Sequence, residues 1–530
     1  MITSIRLGNA RIFEGQGWDF PLDQMSVICG TNSAGKSTLL KTILLLRQSL
    51  GIGGSLRSNT PRLKFVGSEV DLGDFATFIS HKDRSRDLHI GMTVPGDMQP
   101  DVADLLRNQK TDASSPKRGP EPFNLSCDFT FGYYGSSDDV PRLDLPRPDA
   151  QDEEEGADGK LPEQAALLKE ARFQIDLADG VRLAWQVFVA WARTDDTLRA
   201  YSIRLPRSYV EGASGLQGIS IDPKNTDLAE FPTLVRGMLP DRIIGRAADA
   251  PADAPDEAAV KLWPLPVHVE RAHRTLRLAL SNTSYLGPIR YPARRFYTLE
   301  SEVPFSDLGG ESLPNFLHER SNVSVVNLHE GASIRRESLS RALDGWLYYL
   351  RAGTFCNQFT RELSVTTIRD VLIQMDLRTI QGTEIHALAD SGFGYSQVLP
   401  ILARGLMVSP GGTLVVEQPE LHLNPALQVR VAKFLTCMAR AGKQVLIETH
   451  SEHIVNAIRV LAAEEEDEQI TKLCRILFID SQSEKRPTLH ELSIQGDGTV
   501  PDWPKSFFGE AASLAGRLLR VQVKQRQAGS

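Results

Sequence analysis

The sequence predicts an α/β fold: a mixed sheet flanked by helices, with an α+β insertion and no long coiled coil. Three observations predict it. A strand-like run, Val27 to Cys29, passes through a Gly-rich turn into an apolar helix beginning near Lys36. Two further apolar runs, Leu414 to Glu417 and Gln444 to Ser451, each end in acidic or polar side chains. No heptad repeat is sustained anywhere in the chain.

The 530 residues suffice for a large core and more than one subdomain. With 41% hydrophobic and 24% charged residues, most of the chain reads as globular. A net charge of -8 argues against general coating of nucleic acid, although a local basic face still suits DNA. The five cysteines, Cys29, Cys127, Cys356, Cys437 and Cys474, are scattered without metal-ligand spacing, which fits a reduced, cytoplasmic setting. Met1 to Arg6 is strand-like rather than a signal peptide. No apolar run approaches the roughly 20 residues of a membrane helix.

The first 30 residues read as two or three short strands. Either Arg11 or Phe13 suits a place over an adenine ring, and both equally suit a plain strand. The turn that follows fits G-x-x-x-x-G-K-S with Gly30, Gly35, Lys36 and Ser37. Glycines let backbone N–H groups close around phosphate oxygens, and the helix aims its positive end at them. In such a loop the lysine reaches the β- and γ-phosphates and the serine hydroxyl is a magnesium ligand. The expected nucleotide contacts are therefore Gly30, Asn32, Ser33, Ala34, Gly35, Lys36, Ser37 and Thr38, with ATP and Mg2+ as ligands.

The helix from Lys36 stops at Gly51-Ile-Gly-Gly54, and Leu63 to Gly67 and Leu88 to Val94 read as strands. Between them, Asp71 to Phe75 is a surface turn or a loop near the nucleotide. Residues 133 to 165 and 247 to 258 are acidic and proline-bearing, a composition that buries too little surface to offset chain entropy. Arg172 to Leu177 and Val181 to Val189 alternate like paired strands. After Tyr285-Leu-Gly-Pro-Ile-Arg290 come Arg294 and Arg295, a basic cluster that suits solvent or an anionic partner. Leu339, Leu343, Trp346, Leu347 and Leu350 have helical core spacing, and residues 363 to 378 read as a strand pair.

The second half of the site lies further on. Glu417 closes an apolar strand, where a magnesium-side carboxylate is needed opposite a phosphate loop. Glu420 follows in the same turn. His450 closes the next apolar strand, placed to hydrogen-bond a γ-phosphate or to position a water. Upstream, Ser391, Gly394 and Ser396 precede a helix and make a second anion-binding turn, with the register open between them. One nucleotide does not need two cradles in one chain. A dimer, in which this turn caps the partner's nucleotide, resolves the excess.

This order of loop, second turn, acid and histidine resembles the ATP-binding-cassette class. Within it the chain resembles heads of the SMC and overcoming-lysogenization-defect types. It is most similar to a group of bacterial ATPases sharing Gly392-Phe-Gly-Tyr-Ser-Gln-Val-Leu-Pro400, Glu417-Gln-Pro-Glu-Leu-His-Leu-Asn-Pro425, Tyr285 to Arg290 and a tail like Gly498 to Phe508. The likeness spans about residues 1 to 95 and 280 to 510. It implies an ABC-type head, and an ATPase subunit of anti-phage defence beside a separately encoded effector. The expected segments are 1–95 and 285–480 as head halves, 96–284 as insertion and 481–530 as a C-terminal extension. One departure matters. The usual general-base glutamate after the magnesium acid is here Gln418, which takes no proton. Either Glu420 serves instead or hydrolysis is slow. The other readings are a repair-type DNA-binding head and an OLD-type nuclease. The nuclease needs convergent carboxylates, and Asp480 and Glu491 are the acids offered after His450.

Overall fold

A computed structural model describes residues 1–52, 61–107, 119–134, 165–194, 197–207, 210, 216, 227–247, 251, 260–299, 312–329, 333–355, 361–378, 385–391, 393–465, 469–481, 486–504 and 516–522. Packing divides the chain into two units. One joins Met1–Leu22 to Ser37–Thr283, and the other joins Asp23–Lys36 to Ser284–Ser530.

Among the described residues, the first unit is built on a ten-stranded antiparallel sheet. From one edge it runs Trp18–Pro21, Ser4–Gly8, Leu88–Met98, Glu121–Tyr134, Ala165–Leu177 and Arg182–Thr194. It continues through Thr197–Pro206, Leu228–Arg236 and Leu239–Arg246 to Val260–Trp263. Period-two burial makes these strands: Phe123, Leu125, Cys127, Phe129 and Phe131 all face the core. The helix Val267–Ser281 covers part of this face, burying Val269, Ala272, Leu276 and Leu280 at helical spacing. The strands of segment 96–284 thus extend a sheet begun by the first two strands, and Leu88–Met98 runs straight through residue 95.

Arg172–Leu177 and Val181–Val189 do pair antiparallel. Leu63 to Gly67 forms no strand. Single bridges, Arg62 to Leu167 and Val66 to Asp71, hold it together with backbone bonds such as Leu63 N–H to Ala166 O at 3.0 Å and Leu72 N–H to Phe65 O at 2.9 Å. Asp71 to Phe75 is a turn whose Asp74 caps the short helix Phe75–Phe78 through Thr77. Of the stretch 133–165, residues 133, 134 and 165 belong to strands, and the rest lies outside the described residues. Most of 247–258 also lies outside them.

The second unit carries the mixed sheet. Its order is Thr283–Leu286, Thr413–Glu417, Gln444–Glu448, Met25–Gly30, Cys474–Asp480, Thr488–Ser493. The three strands before the last are parallel to Thr413–Glu417, and the last is antiparallel. Parallel strands are covered on both faces, so they read as unbroken apolar runs. Leu414, Val415 and Val416 are fully buried, as are Val445, Leu446 and Ile447.

Helices Phe393–Met407 and Pro425–Arg440 pack with Leu339–Ala352 beside this sheet. The last of these begins where Ser338 caps the Arg341 amide and ends at Gly353, whose φ of 80° suits glycine. Its Leu339, Leu343, Trp346, Leu347 and Leu350 are buried, each leucine contributing about 1.5–3 kcal/mol. Residues 363–378 form the expected pair, Leu363–Ile368 with Leu372–Arg378. The fold of this unit is α/β: a mixed sheet flanked by helices. No described helix is long and apolar enough to cross a membrane.

Candidate functional site

The central strand Met25–Gly30 delivers the phosphate loop. Gly30 has φ 147°, and a Cβ there would lie 2.1 Å from the Ile479 carbonyl oxygen, so only glycine fits. Ser33 (φ 61°) and Gly35 (φ 83°) also take left-handed conformations, which curl the backbone amides inward. Thr31 anchors the loop: its N–H donates to Ile479 O at 3.2 Å, and its hydroxyl lies 2.7 Å from that of Ser481. Asn32 and Ser33 are exposed and Ala34 is buried. Lys36 folds back over the loop, donating to Thr31 O at 2.7 Å and Gly30 O at 3.2 Å. Burial pushes its pKa down, while the Glu448 carboxylate pulls it up. Ser37 and Thr38 continue into the helix Lys36–Ser49, within the first unit.

There Arg11 donates to Thr38 Oγ1 at 3.2 Å and lies over the Phe78 ring. Phe13 is core, packed on Trp18 and Phe20 at 5.3 and 5.2 Å, so it takes the plain structural role.

Three strand ends line up along one sheet edge: Gly30, Glu448 and Glu417. Glu417 is directly opposite Glu448 in the parallel register. Both are 2% exposed. The Tyr285 hydroxyl hydrogen-bonds Glu417, and burial together with that carboxylate pushes the phenol well above its usual range. Glu448 is the residue that sequence reasoning missed. Its signal was an acid closing an apolar strand, the same signal that singled out Glu417.

Gln418 follows with φ 45°, an unusual conformation for a non-glycine residue, and donates its N–H to Glu448 O at 2.7 Å. Arg290 braces this turn. Its Nη2 donates to Glu417 O at 2.9 Å and Gln418 O at 3.4 Å. It is 3% exposed, so the solvated reading of this residue is replaced by a buried one. Burial lowers its pKa to about 10, opposed by the charge of Glu420. Arg295 pairs with Asp390 instead.

Glu420 faces the histidine turn. Its two oxygens accept from Thr449 Oγ1 at 2.8 Å and His450 N at 2.7 Å. Burial pushes its pKa up, and these hydrogen bonds and Arg290 pull it down. Ser451 then caps the helix Glu452–Glu464 at the Ile454 amide. His450 is exposed, and partial burial and the Lys36 charge hold its imidazole below the usual range.

Ser391, Gly394 and Ser396 sit elsewhere than expected. The helix begins at Phe393, so Gly394 and Ser396 lie inside its first turns rather than before it. Ser391 precedes the helix, and its hydroxyl donates to Leu388 O at 2.7 Å. Gly392 lies outside the described residues.

Asp480 and Glu491 do not converge. Glu491 pairs in register with Leu477 and bonds Arg475 at 2.6 Å, while Asp480 stands opposite Thr488. Among the described residues no group of three or more histidine, cysteine or carboxylate side chains is arranged around a metal position. The donor set that remains, buried carboxylates beside a phosphate loop and its serine, fits Mg2+. That ion takes one or two carboxylates and completes its shell with phosphate and water.

A family model described as "AAA domain, putative AbiEii toxin, Type IV TA system" matches residues 246–456, well under half of the chain. The match includes Arg290, Glu417, Glu420 and His450 and omits the phosphate loop. No curated protein matches. Among solved structures, the chain is similar to an SMC head bound to the C-winged helix domain of ScpA. Identity there is 10%, with 93% of this chain and 98% of that one covered and a TM-score of 0.36. It is similar to the SMC head domain from Thermotoga maritima at 7% identity, with 92% and 98% covered and a TM-score of 0.32. A third, the Pyrococcus furiosus Smc head with an extended coiled coil, has 10% identity, 93% and 96% covered and a TM-score of 0.32.

Proposed function

We propose that this chain binds ATP with Mg2+, dimerises around it, and hydrolyses it slowly as the sensor or regulatory subunit of a bacterial anti-phage defence system. The observation that carries the ATP reading is the shared sheet edge. The phosphate loop leaves one strand, the acid closes a second, and the strand between them runs into His450. The defence role and the separate effector rest on the sequence resemblance.

Each residue then has a task. The loop amides and Lys36 bind the phosphates. Ser37 and Glu417 would hold Mg2+, which when bound neutralises phosphate charge. Attacking water would be oriented by Gln418 and His450, but an amide cannot take its proton. General-base catalysis typically contributes about 10²- to 10⁴-fold, so its absence at Gln418 suits slow turnover and a long-lived ATP state. Ser391, Gly394 and Ser396, at the start of their helix, are the surface proposed to cap a partner's γ-phosphate.

Two measurements test the proposal. Equilibrium binding should show ATP taken up by the wild type and lost in Lys36→Ala, with the circular dichroism melt little changed. Sedimentation velocity should show dimers with ATP and Mg2+, and monomers with ADP or with Lys36→Ala. Unchanged affinity in the folded mutant would rule the site out, and a sedimentation profile indifferent to ATP would remove the dimer. Co-purification with the product of a neighbouring gene tests the effector. ATP-tightened, salt-sensitive DNA binding would move the reading to the repair-type head.

A further inference from the structure

We propose that Glu448 is a second metal-side carboxylate of the nucleotide site, acting with Glu417 on the divalent cation that accompanies ATP; this rests on the reading of the chain as an ATP-binding head. The strand that bears it stands between the phosphate-loop strand and the Glu417 strand, all three parallel. Glu448 is paired with Glu417 on one side and with Ile28, two residues before Gly30, on the other. Cross-strand partners present their side chains on one face of a sheet, so the two carboxylates are neighbours. Both are almost wholly buried.

Neighbouring strands are separated by about 4.8 Å, and two negative charges at that spacing repel strongly where water is excluded. The Lys36 ammonium lies within the field of Glu448, and a divalent cation would neutralise both carboxylates. Glu420 is not a competitor for this place. Its oxygens are committed to Thr449 and His450, and its charge faces Arg290. Tyr285 marks the pair from the other side, bonded to Glu417 and within the field of Glu448. Mg2+ bound by up to two carboxylates, a loop serine, phosphate and water is the usual arrangement for such ions.

The test uses the full chain and a fluorescent ATP analogue, titrated in Mg2+ and in EDTA. The wild type is expected to bind more tightly with Mg2+. Glu448→Gln keeps the shape and removes the charge. It should lose about tenfold or more of that Mg2+-dependent tightening while keeping the metal-free affinity. If Glu448 only pairs with Lys36 as a structural ion, the substitution alters metal-free affinity or the melt and leaves the Mg2+ ratio unchanged. That result overturns the proposal. A wild type that binds no nucleotide under either condition overturns the ATP reading instead.

Should Glu448→Gln fail to fold, the wild type still decides. Fe2+ replacing Mg2+, with ATP and ascorbate, cuts backbone close to the metal. Cuts at the ends of both Thr413–Glu417 and Gln444–Glu448, suppressed by excess Mg2+, are expected. Cuts beside Glu417 with none beside Glu448 would refute the assignment.

Discussion

At the scale of single residues, turnover hinges on Gln418 and Glu420. Gln418 stands where a general base would, and its backbone is fixed by the bond to Glu448 O and by Arg290. Glu420 is two residues on, and both of its oxygens are engaged by the Thr449–His450 turn. Gln418→Glu should therefore raise single-turnover hydrolysis, by up to about 10²-fold if the new carboxylate meets the water. Glu420→Gln keeps an oxygen for one donor but presents an NH2 group to the other, so it should lower hydrolysis while ATP binding stays intact. Rates unmoved by both changes would show that neither position governs the water, and His450→Ala becomes the next variant to measure. The loop residues and Glu417 were legible in the sequence because phosphate chemistry fixes their types and spacing. Arg290 and Glu448 were legible only in part. Arg290 stood out in a basic cluster and Glu448 as an acid closing an apolar strand, but the burial and strand register that bring them to the site are not written in the local sequence.

At the scale of elements, Lys443 ties three of them together. It immediately precedes the Glu448 strand and is fully buried. Its ammonium donates to Val326 O at 2.9 Å, Gly405 O at 2.8 Å and Leu406 O at 3.0 Å. The last two are carbonyls at the C-terminus of helix Phe393–Met407, where a cation is favoured. Lys443→Met leaves these acceptors unmatched and should destabilise the fold by about 3 kcal/mol in urea denaturation. Burial lowers the Lys443 pKa from 10.5 to about 7. Between those values the unfolded chain binds more protons, so this residue makes stability rise with pH from about 7 to 10.5. The wild-type denaturation midpoint should carry that slope and Lys443→Met should lack it; parallel pH curves would refute the link. Elements with strong periodicity, such as Leu339–Ala352 and the strand pair within 363–378, were legible. Leu63 to Gly67 has the local look of a strand, but strand formation needs a partner edge that the sequence does not display. The start of helix Phe393–Met407 came earlier than expected because Gly394 and Ser396, ordinary signs of a turn, are tolerated in its opening turns.

At the scale of the whole molecule, the two units are interleaved in sequence. The chain leaves the first unit after Leu22, returns to it at Ser37, and leaves it again after Thr283. The excursion Asp23–Lys36 supplies the phosphate-loop strand to a sheet whose other strands all come from beyond residue 282. That strand is internal. Gln444–Glu448 lies on one side and Cys474–Asp480 on the other. Met25, Val27, Ile28 and Cys29 are all buried within it. Cutting the chain at residue 283 is therefore asymmetric. Fragment 1–283 keeps every segment of the first unit. Fragment 284–530 loses the central strand, leaving two inner edges unpaired and a slot in the core. We expect 1–283 to show β-rich circular dichroism with a cooperative melt, and 284–530 to be aggregated or non-cooperative when expressed alone. Supplying 1–283 by co-expression should restore folded 284–530, because it carries the missing strand. A cooperative melt and dispersed amide NMR spectrum from 284–530 alone would show that the phosphate-loop strand is dispensable to its sheet, contrary to this topology.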